Sequence, residues 1–241
     1  AIGATSVADV HVTIGAGTYG PSIGGSVYGG GEQSLTTGAI HVTVKECTIE
    51  GNVFSGGLGS QGDQSTAGQR ELDMSAGLVK GSVYGSSAFG NDESGTVVRI
   101  QGGTVSGSVY GGGFKGMTYG STKVLIEGSA SIGMSVFGGA DVGKAESSEA
   151  FEEVKVTGMS RIEIYGGRGA SIGGSVFGSG HSCLVADDKT VLIQDMPSGT
   201  VIESVQNADK VLIASSHLTL TGRADGTTSQ ASTRYSLNNI Q

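Results

Sequence analysis

Several groups of residues in this chain have the types and spacing that site chemistry uses. His11 and His41 each open an H-V-T-[IV] run. In a chain of fixed repeat, two such histidines fall side by side, as the imidazole ligands of a shared metal do. No Cys, Asp or third His reads in register with them, so the pair predicts an outward polar ladder and no metal. The turn residues Asp63, Asp92, Glu93, Asp141, Asp187 and Asp188 supply oxygens of the kind calcium takes. They lack the G-G-x-G-x-D spacing of calcium-binding repeats, and a solvated edge is the expectation. Residues 138–144 spell GGADVGK, yet Ala145 stands where a phosphate-binding loop needs Ser or Thr for magnesium. Gly111, Gly113 and Gly116 match G-x-G-x-x-G in a chain with 45 glycines among 241 residues, so composition alone accounts for the match.

The aromatics are more specific. The chain writes one phrase six times: IGGSVYGG, IEGNVFSG, VKGSVYGS, VSGSVYGG, IGMSVFGG and IGGSVFGS. Each contains an aromatic, Tyr28, Phe54, Tyr84, Tyr110, Phe137 and Phe177, with a valine directly before it and a Val or Ile five residues before it. Neighbours on a strand point to opposite faces. With the valines inward, the aromatics face outward, and so do Ser26, Asn52, Ser82, Ser108, Ser135 and Ser175. Six rings about 4.8 Å apart would form a stripe. Such a stripe serves either as a platform for sugar rings or a partner protein, or as a ladder of rings stacked on one another over glycine corners. The six are the candidate ligand-binding residues.

Catalytic constellations are not evident. Lys45, Arg99, Lys123 and Arg161 alternate with apolar positions as single outward residues, and no carboxylate pair reads in register beside them. Glycan lyases and hydrolases need grouped carboxylates, with a base for proton abstraction in the lyases. No enzyme activity is expected, and no catalytic residue, metal or cofactor is predicted.

The elements that position these residues follow from spacing. Aromatic to aromatic, the steps are 26, 30, 26, 27 and 40 residues, the self-similarity of a repeat architecture. Ahead of each phrase an apolar residue alternates with a polar one, as in Val10, Val12, Ile14; Ile40, Val42, Val44; Leu72, Met74; and Val98, Ile100. A period of two predicts strands. Short strands with glycine corners and no helical pattern predict an all-β, parallel β-helix of about seven to eight rungs, roughly 34 Å long at seven. Parallel strands predict right-handed crossovers. A single domain spans 1–241, with repeats over about 10–200 and degenerate rungs over 201–241. In the seventh turn Val201 takes the place five before and Gln206 replaces the aromatic. The insertion at 143–157 carries Glu146, Glu149, Glu152 and Glu153 and should leave as a loop on one face.

Composition bounds the partners. The net charge is -8, which disfavours nucleic acid and anionic membrane surfaces. No apolar run is long enough to span a bilayer. The chain starts and stops in mid-pattern, which predicts a piece of a longer protein. Cys47 and Cys183 fall four repeats apart, roughly 19 Å at strand spacing and beyond disulfide reach. Cys47 is expected in the core and Cys183 in a turn.

The phrases GGSVYGGG at 24–31, GSVYGGG at 107–113 and ADKVLIASSHLTLTG at 208–222 resemble the large repetitive surface proteins of gut Firmicutes. The resemblance runs from Val10 to about Asn239 and is one of repeat style. It implies an extracellular, cell-surface, adhesin-like binding module engaging a host protein or host glycan, with immunoglobulin first among the proteins, as in the superantigen members of this kind. It carries no residue signature over. A structural spacer is the alternative function, and a polysaccharide-processing β-helix enzyme the third.

Overall fold

The computed structural model describes residues 8–15, 20–60, 63–143, 153–215 and 218–221, and the backbone of 234–238. The alternating runs become the strands of one wide sheet: Val10–Ile14, Ile40–Val44, Arg70–Met74, Thr96–Ile100, Thr122–Ile126, Ser160–Tyr165, Lys189–Gln194, Lys210–Ala214 and Arg234–Asn238. These nine are parallel neighbours in chain order. Each phrase supplies two strands of two residues, such as Thr104–Val105 and Val109–Tyr110. The first kind stacks into a six-stranded corner sheet and the second into a seven-stranded aromatic sheet. The described residues contain no helix, and the architecture is a parallel β-solenoid of about six turns, close to the expected number of rungs.

Register is strict because a slip of one residue would turn every core side chain outward. Val42, Leu72, Val98, Val124, Ile162, Val191 and Val211 form one inward column of the wide sheet, and Val44, Met74, Ile100, Ile126, Ile164, Ile193 and Ile213 the next. The corner sheet adds Ile49, Val79, Val105, Ile132 and Ile172, the aromatic sheet Val53, Val83, Val109, Val136, Val176 and Val205. All are buried in one continuous core. Burying a Val or Ile side chain contributes about 1.5–3 kcal/mol, so each rung stacks favourably through a handful of residues.

The first inward position of the wide sheet changes chemistry along the rod, from Ile40 to Arg70 and then to Thr96, Thr122 and Ser160. Backbone geometry explains the hydroxyls. Thr96, Thr122 and Ser160 each donate to the carbonyl of the glycine after an aromatic, Gly111, Gly138 and Gly178, at 2.5 Å. Those glycines are required by close approach: a Cβ on Gly111 would lie 2.3 Å from the Gly138 oxygen.

One expectation needs correction here. Val201 does not fill the core column of the seventh turn; it is half exposed, and Ile202 beside it is buried. The corner between Ile202 and Val205 is one residue shorter than in the phrases, which shifts the inward position by one. Gln206 does take the aromatic's place, paired with Phe177. Cys47 and Cys183 are both free thiols and both buried, Cys183 in a bend of an outer arm. Of the insertion, only Glu153 onward is described; Glu146, Glu149 and Glu152 lie outside the described residues, as does Lys144 of the GGADVGK stretch.

Candidate functional site

The six aromatics form one continuous column. Tyr28, Phe54, Tyr84, Tyr110, Phe137 and Phe177 stack with centroids 5.0, 4.6, 4.8, 4.8 and 4.7 Å apart and ring planes within 8° of parallel. The separation is the strand spacing, imposed because every ring leaves the same register position of consecutive strands. As expected, the rings point away from the tube of valines. The flanking polar residues do too, and they form a ladder of their own. The Ser26 hydroxyl accepts from Asn52 N, Asn52 Oδ1 from Ser82 N, Ser82 from Ser108 N, Ser108 from Ser135 N and Ser135 from Ser175 N, at 2.8–3.3 Å.

The open platform is not what the rings form. Phe54, Tyr84, Tyr110 and Phe137 are only 3–7% exposed; Tyr28 and Phe177, at the two ends, are half-buried. After each aromatic the chain does not turn straight into the next wide-sheet strand. It makes an arm, and the arms fold back over the column, with Leu58, Ala88, Phe89 and Phe114 as the roof. Phe114 meets Tyr84 edge-on at 6.1 Å and Phe89 at 5.7 Å. Short ladders join the arms: Gln64–Thr66 pairs with Asn91–Asp92, and Val154–Val156 with Leu184–Val185. The molecule therefore has a second hydrophobic core outside the tube. Sequence reading missed it because the roof residues sit in arms of unequal length, where no period reveals them.

The acidic turn residues divide in the same way. Asp92 and Asp141 are buried, contrary to a solvated edge. Asp92 accepts from Thr66, Ser86 and both the amide and hydroxyl of Ser87, and lies 3.8 Å from Arg70 Nε. Arg70, fully buried at an inward position, donates to Thr66, Gly68 O and Ser94 O. Burial pulls its guanidinium below the usual value, and Asp92 partly offsets this. Asp141 accepts from Tyr84 OH at 3.1 Å, from Gly143 N and from His181 Nδ1 at 2.8 Å. Burial, then the charge of Asp141, pushes the phenols of Tyr84 and Tyr110 above their ordinary value. Burial likewise pushes the Cys183 thiol up to about 12, so it is a packing residue and not a nucleophile.

The outer face of the wide sheet is where repetition breaks down. Across the rungs its second position reads His11, His41, Glu71, Val97, Lys123, Arg161, Thr190, and its fourth Thr13, Thr43, Asp73, Arg99, Leu125, Glu163, Leu192. Contrary to expectation, Arg99 has a carboxylate pair beside it: its Nη1 lies 3.3 Å from Glu71 and 3.2 Å from Asp73. Asp73 also meets His41 Nε2 at 2.5 Å, so an aspartate does join the histidines. Lys123 and Arg161 converge on Glu163 at 2.9 and 2.5 Å. Burial raises the Glu163 carboxyl, but the hydrogen bonds from Arg161 and Lys123 outweigh it and hold the group below the usual range. At the edge of this face runs a groove of about 510 Å³ lined by Val97, Lys123, Met159, Arg161, Asp188 and Thr190 among others. Met159 in this lining is 53% exposed.

No family model, curated protein or solved structure matches the chain. No helix among the described residues is long and apolar enough to cross a membrane.

Proposed function

We propose that this chain is a non-catalytic binding segment of a bacterial cell-surface protein, adhesin-like in kind, that engages a host protein, with immunoglobulin the first partner to test. The single observation that supports this reading is the contrast between faces. The two aliphatic inward columns of the wide sheet, the aromatic column and the serine ladder are nearly uniform, whereas the outer face of the wide sheet varies from rung to rung and borders a groove with an exposed methionine. Packing favours uniformity; recognition of a particular surface favours a specific arrangement of charge and apolar contact. A host protein is preferred to a glycan because the central rings on which sugars would stack are roofed.

The test is binding of the purified chain to a panel of immunoglobulins, mucins and glycans, with a variant carrying Met159→Ala and Arg161→Ala. Binding to immunoglobulin that the variant loses supports the reading. Binding that the variant keeps moves the site elsewhere on the rod. A structural spacer is the second reading, favoured by the second core and the continuous ladders, which stiffen the rod without presenting anything. It takes precedence if nothing on the panel binds.

A further inference from the structure

Parallel pairing without a shift sets His11 against His41, His41 against Glu71, and Thr43 against Asp73. Residues two apart on a strand share a face, so Glu71 and Asp73 rise together on the outer face beside His41. One donor atom each from His41, Glu71 and Asp73 can be chosen so that all lie within 4.8 Å of one another. The His11 ring is 6.1 Å from that of His41, edge-on, and exposed. We propose that three of these residues, His41, Glu71 and Asp73, form a divalent transition-metal site of the zinc class, with His11 outside the ligand set.

The donor chemistry selects the ion. Imidazole nitrogen with carboxylate oxygen suits zinc, whose bonds to such ligands are about 2.0–2.2 Å, whereas calcium takes six to eight oxygens and has little use for imidazole. Arg99 already offsets the charge of the two carboxylates. Its Nη1 bridges Glu71 and Asp73, a monocation in the place a dication would take. It is one-third exposed on a flexible stem, so it can swing to solvent when the ion enters. The metal would then tie two consecutive rungs together and stabilise the folded chain by mass action.

The experiment is calorimetric titration of the chelator-stripped chain with Zn²⁺ at neutral pH, with Ca²⁺ titrated in parallel and folding of each variant checked by circular dichroism. One saturable Zn²⁺ per chain is expected. His41→Ala should abolish it, Glu71→Gln should weaken it about tenfold or more, and Arg99→Gln should tighten it, because the competing cation is gone. The site is overturned if His41→Ala binds Zn²⁺ as the parent does, since His181, His217 or a thiol would then be the ligand. It is also overturned if Arg99→Gln weakens binding, or if Ca²⁺ occupies the site as readily.

Discussion

Asp92 and Asp141 are buried and each accepts several hydrogen bonds that tie the arms to the rest of the fold. Removing the Asp92 carboxylate leaves Arg70 buried with its counter-charge gone, a change that costs about 3–5 kcal/mol when one partner of a buried pair is lost. Asp92→Ala should therefore lower the denaturation midpoint sharply in a urea titration. Adding Arg70→Leu to it should cost less than the sum of the two single changes, because the second removes the orphaned charge. The two tyrosines on Asp141 make a pH prediction. Their folded pKa values are raised, so above about pH 10 the unfolded chain loses phenolic protons that the folded chain keeps, and stability falls as pH rises. An absorbance titration should show Tyr84 and Tyr110 ionising only with unfolding. Glu163 works in the opposite sense: its depressed value contributes stability near neutrality that is lost as pH falls through the carboxylate range.

The strands and corners were legible because they obey two periods at once. Val98 and Ile100 alternate within a strand, Val109 and Val136 recur a rung apart, and only a parallel solenoid satisfies both. Arms have no such constraint. Asp92 reads as a turn aspartate until the fold sets it against Arg70, and Phe114 reads as an isolated ring until it closes over Tyr84. Even in the regular part, deletion of one corner residue moved the inward position from Val201 to Ile202. The carboxylates beside Arg99 were missed because reading one run at a time does not place Glu71 and Asp73 next to the following strand. The aromatic column should behave as core. Tyr110→Ala, in mid-column, should cost about 3–5 kcal/mol, and Tyr28→Ala, at the half-buried end, distinctly less. Corners should respond to backbone geometry: Gly103 has φ +80° and a Cβ there would lie 2.6 Å from Gly77 O, whereas a Cβ on Gly167 meets nothing within 4 Å. Gly103→Ala should destabilise and Gly167→Ala should not, as thermal melts will read.

At the scale of the molecule, the rod has a tube of aliphatic residues, an aromatic core along one flank and a variable outer face on the wide sheet. Where function resides depends on the middle term. On the proposed binding reading, covered rings leave recognition to the wide face, its groove and the arms, whereas open rings would themselves be the natural platform. Hydroxyl-radical footprinting of the purified chain, read by mass spectrometry and comparing tyrosine with tyrosine, decides between these. Tyr119, 40% exposed, should be modified readily, while Tyr84 and Tyr110, at 5% each, should be protected until the chain is unfolded. Modification of Tyr84 and Tyr110 in the folded chain at the rate of Tyr119 would contradict the second core and return the binding surface to the aromatic column.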